Sequence, residues 1–353
     1  MRIAIIELGK SHDECLYSQI KIIKSIPNVE LSLVCNKSLE TNVSYFDLVD
    51  HKIFFSIRNG YKQWVDIINV WLFLKKEGFD KIIFNTAQGK SISRLVLFPF
   101  AKSTKFYGTL HDTKKISSSH SQKRITKKTD HYFILSDYLK SNMKTSISNS
   151  VFYPVFFPQY PNAKVEKKEN EIWICVPGQV ELKRRDYQTL FESIEKYGVN
   201  KNVKFVLLGR YGHAHGDGDY IKQEISRLKL QDTFLIWKDF IPVPLFYSMI
   251  KNSDYVLPLI HEEDKSGSLY KNQISGAFNL AVGYQKPLLI EETISDKYML
   301  NEALTYNKSH IMNMINQLPK QNNDNFYQDK KWTFEFQRES YLRSIGITLP
   351  NKD

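Results

Sequence analysis

Cysteine is scarce in this sequence, and its three copies, Cys15, Cys35 and Cys175, stand at no metal-ligand spacing. That excludes a zinc-ribbon or disulfide-framework protein, and the odd count is the usage expected of a reduced, cytosolic protein. No apolar run approaches the ~20 residues that span a bilayer; the one at residues 67–74 is far too short. The first nine residues read as a strand ending at Gly9 rather than a signal segment. Repeats at solenoid periods and low-complexity tracts are missing as well. With 42% hydrophobic, 13% aromatic and 25% charged residues, the composition argues against disorder. The chain's 353 residues call for two cores rather than one.

Acidic side chains are in deficit. The net charge of +11 calls for an anionic partner. A diphosphate-bearing substrate and an acidic membrane surface both qualify. Nucleic acid is set aside, because no aromatic-basic motif of a known module is present.

Short apolar runs alternate with helix-length amphipathic segments, the pattern of a parallel sheet with crossover helices. Strands are expected at residues 3–8, 29–35, 81–84, 106–109, 132–135 and 151–153, and helices at 13–25 and 64–76. Prolines 154, 158 and 161, followed by a charged stretch, read as an interdomain linker. A second alternation follows, with strands at 172–176, 204–208, 234–236, 255–259 and 287–290 and helices at 187–197, 220–228, 243–252 and 276–284. The fold class is therefore α/β, two doubly wound Rossmann-like domains facing across a cleft. Expected boundaries are 1–160 for an acceptor domain, 161–324 for a nucleotide-sugar domain, and 325–353 for a tail helix packing back toward the first.

Open parallel sheets bind ligands at the carboxyl ends of their strands. In the second half, Gly178 directly follows a buried strand, so a ligand can approach the backbone closely. Lys183, Arg184 and Arg185 come next, just before a helix, where cations oppose the macrodipole unless an anion is near. The plain alternative is a turn glycine with solvated charges. Further on, Ser275 is a good N-cap and Gly276 leaves the first-turn amides uncovered, which suits a diphosphate; Lys271 adds charge. Read plainly, this is an ordinary capped helix.

Taken in order, these segments resemble the donor domain of GT-B glycosyltransferases, most closely the family 4 type, over residues 172–290. Gly178 with Lys183 and Arg184 matches the diphosphate-holding start. Leu207-Leu208-Gly209 with Arg210 matches the Leu-Gly strand end, and Trp237 through Phe240, Ile241 and Pro242 matches the base-contacting segment. Asp254-Tyr255-Val256-Leu257-Pro258 and Gln285-Lys286-Pro287 complete the series, with Tyr270 preceding the phosphate turn. The family's Glu-seven residues-Glu pattern aligns with Asn272 and Leu280, so both carboxylates are missing; Asn279 or the backbone is left to hold the ribose. The resemblance implies sugar transfer from a nucleotide-diphosphate donor, used as substrate with no cofactor or metal, to a glycan or lipid-linked acceptor in bacterial surface-polysaccharide synthesis. It leaves open retention or inversion. A UDP-sugar 2-epimerase and a non-catalytic nucleotide-sugar-binding protein remain as alternatives.

In the first half, the loop Gly9-Lys10-Ser11-His12-Asp13-Glu14 and the later His111-Asp112 both follow strands. A sugar hydroxyl that attacks an anomeric carbon must lose its proton to an imidazole or carboxylate. His12, Asp13, Glu14, His111 and Asp112 are therefore the catalytic candidates, although acids at a helix start also simply offset the dipole. Residues 101–150 hold ten Lys/Arg against three Asp. That excess would attract anionic lipid at the inner face of the cell membrane. The alternating His213, His215, Asp217 and Asp219 suggest metal ligands, but a glycine-rich loop sets no coordination geometry, and no metal site is assigned.

Overall fold

The computed structural model describes residues 1–41, 45–143, 146–212, 216–261, 270–298, 300–321 and 325–348. Two compact units divide the chain: Met1–Pro158 together with Asp329–Asp353, and Gln159–Gln328. Each is an α/β unit built on parallel strands.

In the first unit the strands are β1 (Arg2–Glu7), β2 (Glu30–Asn36), β3 (His51–Phe55), β4 (Lys81–Phe84), β5 (Lys105–Leu110), β6 (His131–Ile134) and β7 (Asn149–Val151). They form one sheet in the order β3-β2-β1-β4-β5-β6-β7. Helices α1 (Leu16–Lys24), α2 (Lys62–Glu77), α3 (Gly89–Leu95), α4 (Lys115–Ser118), α5 (His120–Lys128) and α6 (Asp137–Asn142) make the crossovers. Strand β1 is central. Ile3, Ala4, Ile5 and Ile6 are fully buried, because a parallel strand covered on both faces has no polar side to show. The edge strand β3 was not foreseen. Its sequence His51-Lys52-Ile53-Phe54-Phe55 is exposed to half-buried, so its apolar signal is short and diluted by charge, as edge strands commonly are.

The tail helix Phe334–Ser344 belongs to this unit and is shorter than the 325–353 span expected. Thr333 caps it by accepting from the Phe336 amide at 3.3 Å. Tyr341 stacks on Phe133 with centroids 4.2 Å apart, and the Tyr107 hydroxyl donates to the Ile345 carbonyl at 3.0 Å.

The second unit has β8 (Ile172–Pro177), β9 (Val203–Arg210), β10 (Phe234–Trp237), β11 (Tyr255–Val256), β12 (Leu289–Glu291) and β13 (Leu304–Tyr306). The order is β10-β9-β8-β11, with β12 and β13 paired to each other. A single bridge from Val256 to Leu288 joins the two groups. Both units thus run through the same 3-2-1-4-5-6 order. Helices α7 (Tyr187–Tyr197), α8 (Asp217–Arg227), α9 (Val243–Asn252), α10 (Gly276–Gly283), α11 (Glu292–Tyr298) and α12 (Ile311–Ile315) cover the second sheet.

The charged stretch after residue 161, expected as an interdomain linker, is bound to this unit. The Ala163 amide donates to Ser248 at 2.9 Å. Lys167 forms an ion pair with Asp254 at 2.5 Å, their side chains 14% and 3% exposed. Asp254 also accepts from the Trp173 amide at 2.6 Å, tying the start of β8 to the start of β11. Among the described residues no helix is long and apolar enough to cross a membrane.

Candidate active site

In the first unit, strand order reverses between β1 and β4, and the carboxyl ends of β1, β4 and β5 meet there. Strand β1 ends at Glu7, which is 1% exposed. Its carboxylate accepts from Asn85 Nδ2 and Thr86 Oγ1, each at 2.6 Å, and from the Gly9 amide at 2.7 Å. A Cβ on Gly9 would stand 2.8 Å from Glu7 Oε1, so a side chain there would push the carboxylate off its present contacts.

That loop delivers His12 in the left-handed region, φ 71°. Non-glycine residues are sparse there, and histidine is among those enriched. Asn85 Nδ2 holds the His12 carbonyl at 2.8 Å. The His12 ring then stacks on His111, centroids 3.9 Å apart. His111 follows β5, and its Nε2 donates to the Asn85 carbonyl at 2.9 Å; this bond fixes the tautomer and leaves Nδ1 as a bare acceptor. Behind them, Gln19 bridges Asn85 at 2.5 Å and the Tyr341 hydroxyl at 3.0 Å, so the tail helix supports the same network.

The two imidazoles are electrically unlike. Burial, reinforced by the charge of His12, pushes His111 down to about 3, and it is neutral at physiological pH. For His12, burial also opposes protonation. The hydrogen bond to Glu14 at 3.3 Å and the charges of Glu14, Glu7 and Asp13 outweigh it, so its pKa lies above the ordinary 6.5. Glu14 in turn is held below the usual carboxylate range: burial opposes ionisation, but His12 prevails. His12 and Glu14 thus form an imidazole–carboxylate dyad with Nε2 free of the Glu14 bond. Burial, then the neighbouring Glu14 charge, raise Asp13. Asp112 Oδ1 accepts from the Lys114 amide at 3.1 Å, and Lys115 lies 3.7 Å away.

Glu7 and Asn85 are absent from the sequence-derived candidates. The readable signal was a carboxylate ending an apolar strand immediately before a glycine turn, and an Asn ending another. Glu7→Gln is expected to lower the first unit's stability by about 1–3 kcal/mol, since the new NH2 group would face either the Asn85 and Thr86 donors or the Gly9 amide. Urea unfolding checks this; an unchanged midpoint would show that the carboxylate is not needed as an acceptor.

In the second unit the glycines serve packing first. Gly178 has φ 102°, and a Cβ there would collide with Arg185. Arg185 is 5% exposed, and its guanidinium donates to the carbonyls of Pro177, Gln179 and Pro258. Of the three basic residues, the one over Gly178 is therefore spent on knitting strand ends. Lys183 and Arg184 are exposed, the latter 3.0 Å from Glu181. A Cβ on Gly209 would collide with the Gly178 carbonyl. The glycine at the Leu-Gly strand end thus makes room for the neighbouring turn. Arg210 beside it is exposed.

Ser275 is buried and accepts from the Ala277 amide at 3.4 Å, while Gly276 faces open space. Asn279 and Leu280 are buried within α10, and Tyr270 is buried while Lys271 is exposed. Phe240 is 71% exposed and Ile241 is buried, which leaves the phenyl face available for stacking. Asp186 is another residue that sequence reading missed. Burial works against its ionisation, but His261, Thr189 and Lys308 hold it well below the usual range, at the N-cap of α7. His213 and His215 lie outside the described residues; among those described, no three His, Cys, Asp or Glu are grouped to hold a metal.

No protein-family model matches the chain, and no curated protein matches it by sequence. Solved structures do match in fold. A UDP-GlcNAc 2-epimerase from Neisseria meningitidis, bound to UDP-GlcNAc, superposes with a TM-score of 0.62 at 11% identity, covering 98% of this chain and 99% of its own. HepE of Anabaena, solved with UDP and glucose, gives 0.62 at 12% identity over 98% and 95%. The lipopolysaccharide outer core galactosyltransferase WaaB gives 0.56 at 14% identity over 98% and 99%. With its two Rossmann-like units, the chain has the GT-B fold.

Proposed function

We propose that the chain is a glycosyltransferase that moves a sugar from a nucleotide-diphosphate donor to a hydroxyl of a glycan or lipid-linked acceptor in polysaccharide synthesis. The observation that carries this reading is the His12–Glu14 dyad at the strand ends of the first unit. It suits removal of one proton from one hydroxyl. His12 Nε2 takes the acceptor proton, the acceptor oxygen bonds to the anomeric carbon, and the bond from that carbon to the donor phosphate breaks. The nucleoside diphosphate leaves with the electron pair. Glu14 orients the ring and stabilises the imidazolium, and neutral His111 beneath it offers Nδ1 as an acceptor that positions the hydroxyl.

The donor belongs to the second unit. Lys183, Arg184, Lys271 and the amides at Ser275–Gly276 neutralise the leaving diphosphate in place of a metal. Phe240 and Ile241 take the base, Arg210 adds charge near the nucleotide, and Asn279 stands in for the missing ribose-binding glutamate. The family 4 likeness is part of this reading, as are the glycine positions Gly178 and Gly209 that shape the turn.

Lys183→Ala combined with Arg184→Ala is expected to lower turnover at least ~tenfold with the fold intact, because the leaving group loses its countercharge. Nucleoside-diphosphate release with and without acceptor, measured alongside thermal melting, tests the assignment; parental turnover in the double variant would sink it. The 2-epimerase neighbours match the fold equally well and motivate a second reading. That reaction would interconvert the donor sugar with no acceptor present, and product analysis of that arm separates the two.

A further inference from the structure

Helix α2 is apolar on two faces. Inward, Ile67, Val70 and Leu74 are buried. Outward, Tyr61 is 80% exposed, Trp64 40%, Val65 53%, Ile68 36% and Leu72 51%. These positions fall on one stripe at helical period, where a surface helix ordinarily carries polar residues. The stripe continues beyond the helix. Trp71 stacks on Phe98, centroids 5.0 Å apart, and donates to the Pro99 carbonyl at 2.8 Å, which lays Leu97, 52% exposed, alongside.

The charge around it has one sign. Lys62 opens the helix, Lys75 and Lys76 close it, and Lys90 and Lys102 are exposed nearby. Arg94 lies over the Trp64 ring at 4.8 Å. The two acids of α2 are committed elsewhere, Asp66 to Arg58 at 2.5 Å and Glu77 to Arg2 at 2.9 Å. An apolar stripe with a Trp and a Tyr at one end and a cationic rim is the pattern of a helix lying in a membrane interface. A second copy of the chain fits less well, because self-contact through this face would set the same cations against each other.

We propose that α2 docks this stripe into the surface of an anionic bilayer, its apolar side chains entering the headgroup boundary and its rim lysines meeting lipid phosphates. The basic helix α5 offers charge alone: Lys123, Arg124 and Lys127 are exposed, but Ile125 is buried. The proposal stands independently of the reaction proposed above.

The test is co-sedimentation of the whole chain with vesicles of phosphatidylcholine, with and without phosphatidylglycerol. The expected result is binding to the mixed vesicles, weakened at least ~tenfold by Ile68→Glu with Leu72→Glu, while Lys123→Glu with Lys127→Glu has a smaller effect. Circular dichroism melting confirms that each variant is folded, and both substituted α2 positions already face solvent. Absence of binding by the parent overturns the proposal, and so does a loss confined to the α5 variant. Stripe-dependent self-association without vesicles, seen by sedimentation velocity, would assign the face to a second copy instead.

Discussion

Asp254→Ala is expected to destabilise the second unit by about 3–5 kcal/mol, the range for breaking one side of a buried ion pair. The substitution removes the countercharge of Lys167, whose side chain is only 14% exposed and keeps just its bond to the Asn252 carbonyl at 2.8 Å. It also removes the acceptor for the Trp173 amide at 2.6 Å and the Gln321 amide at 3.3 Å. Three donors would lose one partner at the point where β8 and β11 begin. Asp254→Asn retains an acceptor but not the charge, and should fall between. Since two units need not unfold together, hydrogen exchange of the β8 amides is the appropriate measurement. Protection reduced by less than ~1 kcal/mol in the alanine variant would show that the pair contributes little.

His12→Ala is expected to reduce turnover by ~10²–10⁴-fold, the span general base catalysis supplies. The pH profile gives the sharper test. A base works unprotonated, so kcat/KM should rise with pH through the His12 pKa, which lies above 6.5. Glu14 is the main group raising it. Glu14→Gln should therefore move the acid limb to lower pH as well as slow the reaction. His111, at about 3, does not titrate in that window. If the limb stays in place or moves upward in the Glu14 variant, His12 is not the titrating base.

Two of the catalytic candidates lie at strand ends, as expected from the sequence. His12 and His111 follow strands, and strand ends are where doubly wound sheets hold ligands. That the two rings stack at 3.9 Å was not readable, because the contact joins residues 99 positions apart. It depends on β4 lying between β1 and β5 in the sheet. Glu7 escaped notice because a strand-terminal glutamate looks exposed in sequence. Only the meeting of Asn85, Thr86 and Gly9 buries it. The basic run at 183–185 shows the limit of local reasoning: three neighbouring cations look alike, yet Arg185 is consumed by backbone carbonyls while its neighbours face solvent.

By itself the sequence determined the two-fold α/β alternation, most strand positions and the long helices. Those follow from hydrophobic period and capping, which are local properties. Tertiary structure decided which units the tail and the charged stretch after residue 161 join, which glycines make room for neighbouring backbone, and which histidine burial holds neutral. Each of these turns on burial and on partners distant in the chain, and neither is encoded in any short window of residues.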